Sequence, residues 1–152
     1  MKQDTKKGRL WFLQSKNPQY FETFLKTLPE NTILLTTLET NRDADYDKVS
    51  KAPPPSVRYE MFKHLDYPKK IVTIEPIMDF DLEVFVEWIV SIKPLAVFIG
   101  YNSHPTVPLT EPDMEKTLDL IVALKNKGIR VLTKELRKMA YRDLFDEASG
   151  KN

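Results

Sequence analysis

Short apolar runs and helically spaced apolar residues alternate along most of the chain. Five runs read as strands: Leu10 to Gln14 (LWFLQ), Thr32 to Leu38 (TILLTTL), Lys70 to Glu75 (KIVTIE), Leu95 to Gly100 (LAVFIG) and Ile129 to Thr133 (IRVLT). The second is rich in β-branched residues, which suit a pleated surface. The fourth is wholly apolar, as a strand covered on both faces requires. Between the runs the apolar period changes to that of a helix. Tyr20, Phe21, Phe24, Leu25 and Leu28 follow Pro18, and Pro29 stops them. Val57, Met61, Phe62 and Leu65 mark a second helix that ends near Tyr67-Pro68, and Leu82, Phe85, Val86 and Ile89 a third, closed by Pro94. Met114, Leu118, Ile121 and Leu124 mark a fourth, with Gly128 placed as its left-handed terminator. Leu136 to Phe145 reads as a closing helix.

The caps agree with this division. Asp79 or Asp81 can cap the third helix, and Thr110-Glu111-Pro112-Asp113 resembles a capping arrangement with proline in the first turn. Glu39 to Pro55 is a polar loop ending in three prolines, which favour an extended segment. Strand and helix thus alternate five times. That order argues for an α/β fold with a parallel sheet and right-handed crossovers. A closed eightfold barrel typically needs about 250 residues. The expectation is therefore an open sheet or a partial TIM-like barrel. One domain spans residues 10–147, with flexible ends at 1–9 and 148–152. An open parallel sheet invites completion by a second copy of the chain or by a separate chain supplying further strands.

Composition narrows the chemistry more than the fold. The 152 residues contain no cysteine, which excludes disulfides, zinc–thiolate sites, an iron–sulfur cluster and a thiol nucleophile within the chain. Lysine and arginine number 23 against 22 aspartates and glutamates, so no global field draws nucleic acid or an anionic membrane. Nucleic acid is accordingly an unexpected partner. The apolar runs are too short to span a bilayer and the polar, basic start lacks a signal-peptide core, so the expectation is a cytoplasmic protein.

In parallel α/β folds, function collects at the carboxyl ends of the strands. Lys16 and Asn17 follow the first run, Glu39, Asn41 and Arg42 the second, Glu75 and Asp79 the third, Tyr101 and Asn102 the fourth, and Lys134 and Glu135 the fifth. Three of these ends repeat one spacing: Thr37-Leu38-Glu39, Thr73-Ile74-Glu75 and Thr133-Lys134-Glu135. Residues two apart in a strand share a face. Inward-facing glutamates would bring three carboxylates to one mouth, able to hold a hard cation, move a proton, or accept bonds from ribose hydroxyls or an amine. Lys16, Arg42 and Lys134 stand at the same rim, so neutralising ion pairs compete with both ligand-binding and catalytic readings.

Other candidates carry less. His64 reads as a helix-surface residue, and His104 lies in a loop beside Pro105. Neither has metal-pair spacing. Gly100 suits a tight turn or the approach of a ligand. Lys48 and Lys51 share their loop with Asp43, Asp45 and Asp47 and read as solvated. Trp88 reads as core or as an interface anchor. No phosphate loop, dinucleotide fingerprint or nucleophile elbow is present.

Several longer stretches carry a family resemblance. They are FLQSKNPQYF (Phe12 to Phe21), TTLETNR (Thr36 to Arg42), KAPPPSVRYEMF (Lys51 to Phe62), IVTIEPIMDFDLEVFVEW (Ile71 to Trp88) and VFIGYNS (Val97 to Ser103). Together they resemble an uncharacterised family of phages, bacteria and archaea related to radical S-adenosylmethionine proteins. TIEPIMDFDL is the most specific piece. The resemblance extends over roughly Leu10 to Arg137 and implies the carboxyl-terminal part of a partial barrel. It implies that Glu39 and Glu75 line the cofactor-facing end, and that Asn41, Arg42 and Asn102 help hold an S-adenosylmethionine-like ligand. Relatives of this type carry three cysteines on a [4Fe–4S] cluster; this chain has none.

The expected function is a non-catalytic or incomplete module of that type, binding a small ligand or a partner chain at the strand ends. One alternative is a divalent-metal enzyme using Glu39, Glu75 and Glu135. Another is a nucleic-acid accessory protein, motivated only by the phage association of similar sequences.

Overall fold

The computed structural model describes residues 10–104 and 109–133. Five strands, β1 (Trp11–Gln14), β2 (Thr32–Thr37), β3 (Lys70–Ile74), β4 (Ala96–Ile99) and β5 (Val131–Thr133), form one sheet. Their order in space is β1-β2-β3-β4-β5, and every neighbouring pair is parallel. The α/β reading with a parallel sheet holds. The strands lie within the five apolar runs, shortened by up to two residues at an end. The expected closing helix after Thr133 lies outside the described residues, as do both expected flexible ends.

Three α-helices connect the later strands: α1 (Pro55–His64), α2 (Leu82–Ile92) and α3 (Met114–Asn126). Each strand pairs with the next in sequence, so right-handed crossovers bring the helices to the same side. The core shows it. Leu34, Val72, Ile74, Val97 and Val131 pack with Phe62 of α1, Phe85 and Ile89 of α2, and Leu120 and Leu124 of α3. The opposite face carries a smaller apolar cluster of strand residues only: Leu35, Ile71 and Ala96, with Ile33, Phe98 and Leu132 against them. Strand alternation produces both sets, since successive side chains point to opposite faces.

The expected helix after Pro18 is instead two 3-10 segments, Pro18–Thr23 and Leu25–Thr27. Phe24 leaves the helical region between them (φ −134°). The Thr23 and Thr27 hydroxyls also donate to the carbonyls of Tyr20 and Phe24, three residues back, at 2.8 and 2.9 Å. Such local bonds compete with a regular helix. Phe21 still reaches the core, meeting Phe24 edge-on and Phe62 at a tilt.

Two helix stripes are rotated from their expected positions. In α1 the buried residues are Pro55, Arg58, Tyr59 and Phe62, while Val57 is exposed. In α3 they are Thr117, Leu120, Ile121 and Leu124, and Leu118 faces out. In α2 the stripe continues as Phe85, Val86, Ile89 and Ile92. Trp88 stacks on Tyr59 with ring centroids 4.3 Å apart and planes 2° from parallel, joining α1 to α2.

Lys70 opens β3 on the helix side yet is buried. Its ammonium donates to the carbonyls of Phe62, Lys63 and Leu65 at 3.0, 3.3 and 3.1 Å. A cation there satisfies the unpaired carbonyls that end a helix and complements its dipole. Burial lowers its pKa. At the other termini, Asp113 caps α3 by accepting the Lys116 N–H at 2.8 Å, and Gly128 follows with φ +79°.

Candidate functional site

A cleft of about 520 Å³ opens on the helix-free face, over the carboxyl ends of the strands. Leu35, Thr73 and Phe98 supply its floor, Gln14 one side, and Glu75 with Pro76 the middle. Tyr101, Asn102, Ser103 and His104, which follow β4, form the far rim.

The floor is organised by a polar layer across three strands. Thr37 and Thr73 are register partners on β2 and β3. Their hydroxyls meet at 2.8 Å. The Gln14 carboxamide donates to both, at 3.0 Å to Thr37 and 3.2 Å to Thr73. The shared T-x-E spacing therefore brings the threonines of β2 and β3 together, while their glutamates go to different surroundings.

Glu75 lines the cleft beside Gly100. A Cβ built at Gly100 would stand 3.3 Å from both Cγ and Cδ of Glu75. Absence of a side chain at that position thus makes room for the glutamate. The backbone on either side is held tightly: Gly100 donates its N–H to Ile74 at 3.1 Å and accepts from Ile77 at 2.8 Å. Asn102 folds its own segment, accepting the His104 N–H and donating to the His104 carbonyl, each at 2.9 Å. Its backbone N–H donates to Glu111 at 3.3 Å. The Tyr101 hydroxyl lies behind the rim, 2.8 Å from the Thr117 hydroxyl of α3.

Glu39 does not line the cleft. It is 1% exposed, and its carboxylate meets the Lys16 ammonium at 2.6 Å and the fully buried Arg58 guanidinium at 2.7 Å. The Tyr46 hydroxyl adds a third donor at 2.8 Å. Arg58 also donates to the Thr37 carbonyl and sits over the Tyr46 ring, 4.9 Å from its centre. Burial alone would raise the Glu39 pKa, but Arg58 and then Lys16 outweigh it and hold the carboxyl below its usual range. Burial and the adjacent Glu39 charge push the Tyr46 phenol up to about 12. This is a charge-satisfied cluster that fastens β2 to α1.

Asn41 and Arg42 serve a second connection, between the segments after β2 and β3. Arg42 reaches Asp79 at 2.6 Å and grips Asp81 with two nitrogens, at 2.7 and 3.1 Å. Asn41 accepts the Asp81 N–H at 2.8 Å and donates to its carboxylate at 3.2 Å. Lys116 of α3 meets the other Asp79 oxygen at 2.7 Å. Arg42 and Asn41 thereby lower the Asp81 pKa to about 2, and Lys116 leads in lowering that of Asp79. Asp81 stands at the N-cap position of α2 with its carboxylate turned to Arg42, so it makes no side-chain cap bond.

No family model, curated protein or solved structure matches the chain.

Of the expected strand-end residues, Glu75 and Asn102 share the cleft, whereas Lys16, Glu39, Asn41 and Arg42 belong to the two ion-pair groups. Lys134 and Glu135 lie outside the described residues. Among the described residues no group of three histidine, cysteine, aspartate or glutamate side chains is placed to hold a metal. The donor set also fails to fit an iron–sulfur cluster, because the chain offers no thiolate. Among the described residues no helix is long and apolar enough to cross a membrane.

Sequence reasoning missed Gln14, Tyr46, Arg58 and Lys116. Gln14 had a signal, being the polar end of an otherwise apolar strand. Arg58 had none, since a charged residue inside a helix normally reads as solvent-facing. What the cleft offers chemically is clear from its lining. It combines an apolar floor (Leu35, Phe98), a carboxylate (Glu75) and neutral polar groups (Gln14, Thr73, Asn102). That suits a small ligand with a planar or apolar part and a cationic or hydroxylated part.

Proposed function

We propose that this domain is a section of a (β/α) barrel wall of the radical S-adenosylmethionine-related type. It acts as a non-catalytic module that binds a small ligand in the cleft over its strand ends. The observation that carries the reading is the pairing of topology and cleft position. Five parallel strands run in sequential order without the reversal of a doubly wound sheet, and the cleft opens at their carboxyl ends on the face opposite the helices. In a barrel wall that face is the interior.

An S-adenosylmethionine-like molecule fits the lining by chemistry. Phe98 and Leu35 offer surface to a planar ring. Glu75 offers a carboxylate to ribose hydroxyls or to an α-amino group, and Gln14 and Asn102 supply directional carboxamides. Glu39, although the resemblance pairs it with Glu75, supports the loop from behind. S-adenosylmethionine supplies radical chemistry only when an iron–sulfur cluster delivers an electron to it, and this chain has no ligand for one. Its own residues bind, orient and shield a ligand.

Titration calorimetry of the full chain with S-adenosylmethionine and with S-adenosylhomocysteine tests the reading. Saturable binding of either is expected, weakened about tenfold or more in Glu75→Gln, the range of a lost charge-assisted bond. Absence of heat with both at millimolar ligand, or equal affinity in Glu75→Gln, overturns it.

A further inference from the structure

We infer that Gln14 is the specificity-determining residue of the cleft. Thr37 and Thr73 lock its carboxamide so that the carbonyl oxygen is left for the ligand, where it selects an amino group over an oxo group at the edge of a planar ring. This rests on the ligand proposed for the cleft and adds the polarity of one contact.

The hydrogens available to the polar layer fix the orientation. The Gln14 carboxamide nitrogen lies 3.0 Å from the Thr37 hydroxyl and 3.2 Å from that of Thr73, and the two hydroxyls lie 2.8 Å apart. A hydroxyl carries one hydrogen and a carboxamide oxygen carries none. Two hydroxyls thus bring two hydrogens to three mutual contacts. With the oxygen of Gln14 turned towards them, one contact would press bare lone pairs together. With the nitrogen there, each contact has its hydrogen. Thr73 also donates to the Thr36 carbonyl at 3.3 Å, which takes up a hydroxyl hydrogen and sharpens the demand. Both threonines are buried, where an unmet contact is costly.

Oε1 is the remaining branch of the same planar group. Among the described residues nothing donates to it. Gln14 is exposed and lines the cleft. The other carboxamide of the lining differs, because Asn102 uses both branches on His104. Thr73 keeps its hydrogen within the polar layer. The β1 end of the cleft therefore presents an acceptor.

The neighbouring floor indicates which part of the ligand meets it. Gln14 is the register partner of Leu35, and Thr73 that of Phe98. Leu35 and Phe98 lie on the strands to either side of Thr73. A planar ring resting on them brings its edge to Gln14. An amino substituent there donates to Oε1. An oxo substituent sets acceptor against acceptor, and Gln14 cannot turn its nitrogen outward without stranding the threonine pair. Discrimination of this kind comes from the repulsive contact as well as from the bond lost.

S-adenosylhomocysteine and S-inosylhomocysteine differ at this point, amino against oxo on one ring carbon. Titration calorimetry of the full chain is expected to show the amino compound bound about tenfold or more tightly. Gln14→Met removes both branches of the carboxamide and should bring the two affinities within about twofold. Thr37 lies outside the lining, so Thr37→Val reads positioning alone. It leaves one hydroxyl, which either branch of the carboxamide satisfies. The amide is then free to turn, and binding of S-inosylhomocysteine should strengthen about threefold or more. Loosening of the fold does not produce such a gain, and an unchanged circular dichroism spectrum confirms that each variant folds. Equal affinities in the native chain, a preference that persists in Gln14→Met, or no gain in Thr37→Val overturns the inference while the ligand reading stands. Absence of binding of both compounds overturns that reading and this inference with it. Should Gln14→Met fail to fold, the native chain and Thr37→Val decide.

Discussion

Replacing Arg58 with methionine removes the innermost charge of the β2–α1 cluster and keeps an unbranched stem of similar reach. Arg58 is fully buried and Glu39 is 1% exposed, so solvent cannot take the place of the guanidinium. Two contacts vanish together: the 2.7 Å bond to Glu39 and the bond to the Thr37 carbonyl. Removing one member of a buried pair usually costs about 3–5 kcal/mol, mostly the penalty of the stranded charge. Lys16 and Tyr46 still reach the other Glu39 oxygen, so the lower end, about 3 kcal/mol, is expected at pH 7. For a domain of this size that lowers Tm by about 6–12 °C. Urea unfolding followed by circular dichroism measures it. The pH dependence carries a definite sign. The Glu39 carboxyl is depressed in the folded state, so its stabilising contribution is present above the ordinary carboxylate range and fades as pH falls through the folded value. Without Arg58 the carboxyl moves upward, since burial remains and a compensating charge is gone. The gap between variant and native chain should therefore narrow towards pH 4. The double replacement Glu39→Gln with Arg58→Met should cost less than the sum of its single changes. A loss under about 1 kcal/mol at pH 7, or one unchanged between pH 4 and pH 7, would refute the view of this cluster as a desolvated ion pair.

Gly100→Ala places a methyl 3.3 Å from the Glu75 stem; it should cost about 1–2 kcal/mol in urea unfolding and weaken the S-adenosylmethionine binding proposed for the cleft by displacing the carboxylate. Asp113→Ala removes the cap bond to the Lys116 N–H and should cost about 1 kcal/mol, with faster amide exchange confined to the first turn of α3. Trp88→Ala and Tyr59→Ala should show a coupling of about 0.5–1.5 kcal/mol in a double-mutant cycle, the range of a stacked pair; additive losses would deny that the stack joins the helices.

The fold was legible because its signals are redundant. Each strand was marked by an apolar run and bounded by proline, glycine or a polar cluster. Stripe orientation was less legible where polarity and burial disagree. Val57 fits an apolar stripe on its type alone, but Arg58 takes the inward place in α1 because Glu39 and the Thr37 carbonyl receive it there. Thr117 likewise displaces Leu118 from the core of α3, its hydroxyl accommodated by Tyr101 and the Asp113 carbonyl. In both cases a buried partner distant in sequence decides the face, and periodicity contains no record of it. The first helix failed for a local reason, the back-bonding of Thr23 and Thr27, whose types were visible but whose geometry was not.

The strand-end glutamates show how far a spacing rule reaches. The two-residue period holds while the chain remains in the sheet, so Thr37 and Thr73 meet as register partners. Beyond the last ladder bond, the destination of a side chain depends on which cation the adjoining segment can supply. Glu39 follows β2 into a space occupied by Arg58 of α1, Lys16 and Tyr46. Glu75 follows β3 past Gly100, where the missing side chain leaves room towards the cleft. Asp79 and Asp81, a few residues on, are drawn to Arg42 and Lys116. One acidic motif thus leads to two places for a physical reason: Glu39 is met by a buried guanidinium that fastens β2 to α1, while the space left by Gly100 lets Glu75 line the cleft. It follows that the ion-pair clusters should govern the stability of the rim, and Glu75 with Gly100 the occupancy of the cleft. Stability and binding should accordingly separate between Arg58→Met, which loosens the frame, and Glu75→Gln, which alters what the frame presents.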